Sequence, residues 1–105
     1  MQERYLRVVS LWVHPGQELA FEAFEQDAAK IMARYGGRID QAVRLSPADD
    51  ARAGEGPVEV HIVSFPNEAA FEAYGADGVT LALRARRDQI IARTSFAAGR
   101  PAGPY

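Results

Sequence analysis

Residues 4–13, Arg-Tyr-Leu-Arg-Val-Val-Ser-Leu-Trp-Val, decide how the chain folds. Leu6, Val8 and Trp12 fall in one alternation class and Tyr5, Val9, Leu11 and Val13 in the other, so an extended segment here is apolar on both sides. A strand of that kind belongs in the middle of a sheet that is covered on both faces. His14-Pro15-Gly16 stops it, because proline donates nothing to the ladder and glycine opens a turn.

The segments that follow supply the rest of the sheet and its helices. Ala20, Phe24, Ala28, Ile31 and Tyr35 recur at helical spacing, Phe21 and Met32 widen the stripe, and Glu22, Glu25, Asp27 and Lys30 take the remaining positions. This predicts an amphipathic helix over residues 17–35, lying on the sheet and ended by Gly36-Gly37. Residues 38–45 alternate Ile39, Gln41, Val43 and Leu45 against Arg38, Asp40, Ala42 and Arg44, a strand with one wet face. Residues 46–57, rich in proline, glycine and acidic side chains, read as a flexible hairpin connection long enough to reach over a neighbouring surface.

A third strand is predicted over residues 58–65, with Val58, Val60, Ile62 and Ser64 on one side and Glu59, His61, Val63 and Phe65 on the other. Pro66 ends it, and Asn67 is placed to cap a helix carrying Ala70, Phe71 and Tyr74. Gly75-Ala76-Asp77-Gly78 breaks that helix. Val79, Leu83, Arg86, Arg87, Ile90 and Ile91 then mark a second helical segment to about Arg93, followed by a last strand over residues 94–98.

The order βαββαβ is that of a ferredoxin-like α+β fold, a four-stranded antiparallel sheet with its helices on one face. One domain over residues 1–98 and an extended C-terminal tail over 99–105 are expected. Tyr5, Val9, Leu11, Val13, Val63 and Phe65 exceed what helices on one side are expected to cover. The economical cover for the bare face is a second copy of the same sheet, making a homodimer closed into an α+β barrel.

Composition narrows the function. The 105 residues, 48% hydrophobic and 25% charged, suit one compact domain and are too few for two cores. A formal charge of −2 provides no basic field for nucleic acid. The RNA-recognition motif shares this topology, but Val58-Glu59-Val60-His61-Ile62 lacks its basic-glycine start and interleaved aromatics. With no cysteine, disulfides, a thiol nucleophile and thiolate zinc sites are excluded. The N-terminus lacks a secretory pattern and no 18-residue apolar run occurs, so no membrane partner is expected and a cytoplasmic location is.

The run His61-Ile62-Val63-Ser64-Phe65-Pro66-Asn67, followed by Ala70-Phe71-Glu72-Ala73-Tyr74, resembles the strand-then-helix signature of the dimeric α+β barrel superfamily. That group holds the antibiotic-biosynthesis monooxygenases, haem-degrading small barrels and stress-responsive barrels. Leu81-Ala82-Leu83-Arg84 and Arg87-Asp88 are most similar to a small uncharacterised family within it. Where that family has an acidic residue or serine, then proline, then an aromatic, this chain has Asp77-Gly78-Val79. The resemblance implies a small organic ligand between helices and sheet. It also implies a cofactor-independent monooxygenase, in which the substrate itself reduces oxygen without metal or flavin, or an isomerase-like reaction; the competing reading is a non-catalytic dimer that binds a metabolite or a protein.

His14 and His61 are the only histidines, so no metal site is expected, although His61 and Glu59 on one strand face make a weak pair. His61 is the candidate proton acceptor, against a neutral, hydrogen-bonded role in the core or at an interface. Arg87 is the candidate ligand contact. Arg86 and Arg87 bracket an apolar stripe, so one of them points at the sheet and needs an acceptor, either Asp88, Glu59 or a bound carboxylate. Trp12 and Tyr74 complete the candidate substrate-binding set, with ordinary core packing as the competing account of both.

Overall fold

The structure is a computed structural model and describes residues 3–46 and 56–105. Seven elements follow in order: β1 (Tyr5–Val13), α1 (Glu18–Ala33), β2 (Arg38–Arg44), β3 (Glu59–Phe65), α2 (Glu68–Ala76), α3 (Gly78–Ile90) and β4 (Ile91–Gly99). The strands form one sheet in the order β2-β3-β1-β4, and each neighbouring pair is antiparallel. This is the ferredoxin-like α+β arrangement read from the sequence. The long connection expected to reach over a neighbour lies largely outside the described residues. Among those residues no helix is long and apolar enough to cross a membrane.

Local chemistry sets the element boundaries. Gly16, at φ +82°, makes the turn before α1, and Gly36, at φ +72°, takes the left-handed position after it. Gly37 is there for space. A Cβ on it would stand 2.4 Å from Cε1 of the fully buried Phe65 ring. Asn67 caps α2 as its side-chain oxygen accepts from the Ala70 N–H at 2.8 Å. Asp77, expected only as part of a break, caps α3 by accepting from the N–H groups of Val79 and Thr80. The Tyr35 hydroxyl also donates to it, tying the end of α1 to the α2–α3 corner. The last helix stops at Ile90, three residues earlier than its spacing predicts. Ile91 already pairs with Val13, through a bulge that restarts the ladder at Trp12 and Arg93.

The core corrects the face assignment. Val9, Leu11, Val63 and Phe65 pack with Phe21, Phe24, Ala28 and Met32 of α1, and Tyr5 and Val13 share their side of β1. The residues expected to overflow the helix-covered face are therefore the ones beneath it. The bare face is the other alternation class. Val8, Val43 and Ile62 are 38%, 44% and 36% exposed there, beside Leu6, Trp12 and Val60. In β2 the register shifts between Ile39 and Gln41, so Ile39 turns toward the helices while Gln41 and Val43 turn away. The strict alternation read from the sequence is broken by one extra residue, Asp40.

Candidate functional site

Between the helices and the covered sheet face lies a cavity of about 400 Å³. Val9 and Leu11 from β1, Phe24 and Met32 from α1, and Val63 and Phe65 from β3 make its walls largely apolar. Its polar groups converge from every layer: His61 from β3, Glu25 from α1, Arg7 from β1, Tyr74 from α2, and Thr80 and Arg87 from α3. An apolar cavity with a few aimed polar side chains is the usual form of a small-molecule site.

His61 is the most deeply buried of the polar set described, at 3% exposed. Its Nε2 stands 2.5 Å from Oε2 of Glu59, its neighbour on the same strand face, and its Nδ1 stands 3.8 Å from Oε2 of Glu25. Arg44 donates to the other Glu59 oxygen through Nε at 3.1 Å and Nη2 at 3.0 Å. In the tautomer whose Nε2–H donates to Glu59, Nδ1 carries the lone pair. That tautomer is the one a proton acceptor needs. Glu59 fixes the ring as a carboxylate fixes the histidine of a hydrolase triad.

Glu25 is one of the residues that sequence reasoning does not single out. Its charge places it with the polar positions of the first helix, yet it falls on the series 21, 25, 28, 32 whose other members, Phe21, Ala28 and Met32, are all buried. Burial pushes its carboxyl above the usual range. The nearby His61 opposes that shift, Glu59 adds to it, and Arg87 opposes it. Tyr74 behaves similarly: burial raises its phenol, Glu25 adds to this, and Arg87 opposes it. Glu25, His61, Tyr74 and Arg87 therefore act on one another within one electrostatic neighbourhood.

Two arginines resolve the question of which one faces the sheet. Arg87 does, and its Nη2 donates to Oγ1 of Thr94 on β4. The acceptor is thus neither Asp88 nor Glu59. Arg86 turns to α1, where Nη1 pairs with Asp27 at 2.7 Å and the guanidinium lies 5.5 Å from the centroid of the Phe24 ring. Tyr74 lines the cavity with its ring 5.4 Å from that of Phe65. Trp12 does not line it. It stands on the bare face with the Arg93 guanidinium 4.5 Å from its ring centroid, so no ligand in this cavity reaches it. Three of the four expected site residues, His61, Arg87 and Tyr74, come together, and the fourth is on the far side of the sheet. Arg7 and Thr80 were also missed. Arg7 occupies the gap between Tyr5 and Val9 in a class that is otherwise apolar, and that interruption is its signal.

No protein-family model matches the chain, and no curated protein matches its sequence. Solved structures match its fold along nearly the whole length. A protein of unknown function from Rhodopseudomonas palustris superposes at TM-score 0.79 with 17% identity, over 99% of this chain and 86% of that one. A DABB-family protein with a ferredoxin-like fold from Mesorhizobium loti gives 0.65 with 19% identity, over 97% and 100%. SnoaB, a cofactor-independent oxygenase from Streptomyces nogalater, gives 0.68 with 18% identity, over 99% and 100%. At these identities the likeness is one of fold.

Proposed function

We propose that the cavity binds a small organic molecule with an aromatic or polyketide-type skeleton and oxygenates it without a cofactor. His61 Nδ1 takes the proton from an acidic C–H, while Arg87 and Tyr74 stabilise the oxyanion that develops on the adjacent carbonyl. The carbanion passes its electrons to O2. A methylene becomes a carbonyl that keeps one oxygen atom, and the other atom leaves as water with the two methylene hydrogens. The observation that carries this is the buried His61, which lines the cavity with its Nε2 2.5 Å from Glu59 Oε2.

An oxygen electrode tests it with an anthrone as substrate and no added metal or flavin. Saturable oxygen uptake above the buffer rate is expected, with the quinone formed mole for mole. Saturable binding of the anthrone without uptake sinks the enzyme and leaves a non-catalytic metabolite-binding module. No binding sinks the ligand site as well.

The working unit is proposed to be a homodimer, sheet against sheet. The bare face is apolar along β1, β3 and β2, and a monomer leaves Val8, Val43 and Ile62 in water. An isologous pairing covers the same patch on both copies. Light scattering at micromolar concentration is expected to report twice 11.5 kDa, and Ile62→Glu to shift it to 11.5 kDa. A parent chain that scatters at 11.5 kDa ends the proposal.

A further inference from the structure

We propose that the cavity is built for a ligand that carries a carboxylate, and that Arg7 is the side chain that holds it; the idea rests on the cavity being a small-molecule site. Arg7 stands on the covered face of β1, opposite Val63 on one side and Ala98 on the other. Its guanidinium lies 5.1 Å from the centroid of the Phe71 ring and 5.5 Å from that of Phe96. Nη1 donates to the Tyr5 hydroxyl at 3.2 Å, while Nε is buried without a hydrogen-bond partner. Among the described residues no carboxylate pairs with it, the arginine ion pairs being those of Arg38, Arg44 and Arg86.

Arg7 is half-buried, and its buried Nε without an acceptor leaves a counter-charge to be supplied. The two rings offset part of that through their faces, but they give the N–H fork nothing to bond. The charges around the cavity lead to the same conclusion. Arg84 and Arg87 share the lining with Glu25 and Asp88, which leaves Arg7 as the surplus positive charge. A planar carboxylate fits a guanidinium fork through paired hydrogen bonds.

The register sets where the rest of the ligand goes. Val63 opposes Arg7 and His61 lies two residues along the same face, so Arg7 and His61 are diagonal neighbours about 7–8 Å apart across the sheet. A ligand anchored at Arg7 therefore places its next ring over His61. The substrate class is an aromatic or polyketide-type acid, with the reacting carbon about one ring away from the carboxylate.

Calorimetry on the full chain tests this with 1-naphthoate against 1-naphthamide, which differ in charge and little in shape. The parent is expected to bind naphthoate at least about tenfold more tightly. In Arg7→Met that preference is expected to fall to within about twofold, and the thermal midpoint without ligand to equal or exceed the parent's, since a half-buried charge with an unsatisfied Nε has been removed. Equal affinity of the parent for both probes overturns the carboxylate site and leaves the cavity as a site for neutral molecules. A preference that survives in Arg7→Met, or a lowered midpoint in that variant, makes Arg7 a structural residue and overturns it too. If neither probe binds at millimolar concentration, this inference and the small-molecule reading fall together.

Discussion

Phe65→Ala is expected to destabilise the fold by about 3–5 kcal/mol, the loss typical of truncating a buried phenylalanine. Phe65 has no exposed surface and closes three sides of the structure at once. Its ring meets Phe71 at 5.4 Å, edge to face, and Tyr74 at 5.4 Å, and it fills the space that Gly37 leaves for it. Neither side can collapse into the gap: β3 is held by ladders to β1 and β2, and the turn at Gly36-Gly37 is fixed by its left-handed residue. Domains of this size are stable by only about 5–15 kcal/mol, so a large share of the total is at stake. Thermal unfolding at one fixed protein concentration reads it, with a midpoint about 15 °C or more below the parent's. Leu19→Ala, at a side chain 81% exposed, is the control and is expected to change stability by less than about 0.5 kcal/mol. A Phe65→Ala midpoint within a few degrees of that control would mean the aromatic cluster is not what joins β3 to the helices.

The same cluster shows which parts of the structure periodicity reveals. Phe65, Pro66 and Asn67 read correctly as strand end, breaker and cap because each acts within three residues of its own position. The assignment of faces is different in kind. A strand apolar on both sides has two alternation classes but no internal mark for which one the helices take, and here the choice is made by packing against α1. The covered class also holds Arg7, Glu59 and His61, so the more polar-looking side of the two central strands is the buried one. That inversion agrees with the proposed function: a ligand cavity needs polar groups inside, while a face proposed to meet a second sheet does not. Asp40 misleads for a related reason. A bulge adds one residue and reverses every later side chain, and nothing in an alternating run of residues announces it. Glu25 and Arg7 were legible as charges standing in apolar series. Such an interruption points to a site when the series is buried, and burial is visible only once the fold is known.

His61→Ala is expected to lower oxygen-dependent turnover by about a hundredfold, the usual contribution of a positioned general base. The size of the effect depends on what surrounds the ring. In the proposed reaction Glu59 accepts from Nε2–H and the lone pair of Nδ1 is the acceptor, so the imidazolium formed by proton transfer has Glu59 on one nitrogen and Glu25 at 3.8 Å from the other. Glu25 stabilises that cation only when ionised, and burial raises its pKa. Below the raised pKa Glu25 is protonated and its help is absent; above it the help is complete. Turnover is therefore expected to rise with pH through a step that lies above the ordinary glutamate range, and Glu25→Gln is expected to flatten that step while keeping the cavity's shape. The sign for stability is opposite. A carboxyl whose folded pKa is raised adds most below the unfolded value of 4.5 and loses that contribution as pH climbs to the folded one. Glu25→Gln should accordingly be the more stable protein at neutral pH and the slower one, a pairing that a residue kept only for packing does not produce. Unchanged turnover in His61→Ala removes the ring from the reaction, and an unchanged pH profile in Glu25→Gln removes the carboxylate beside it.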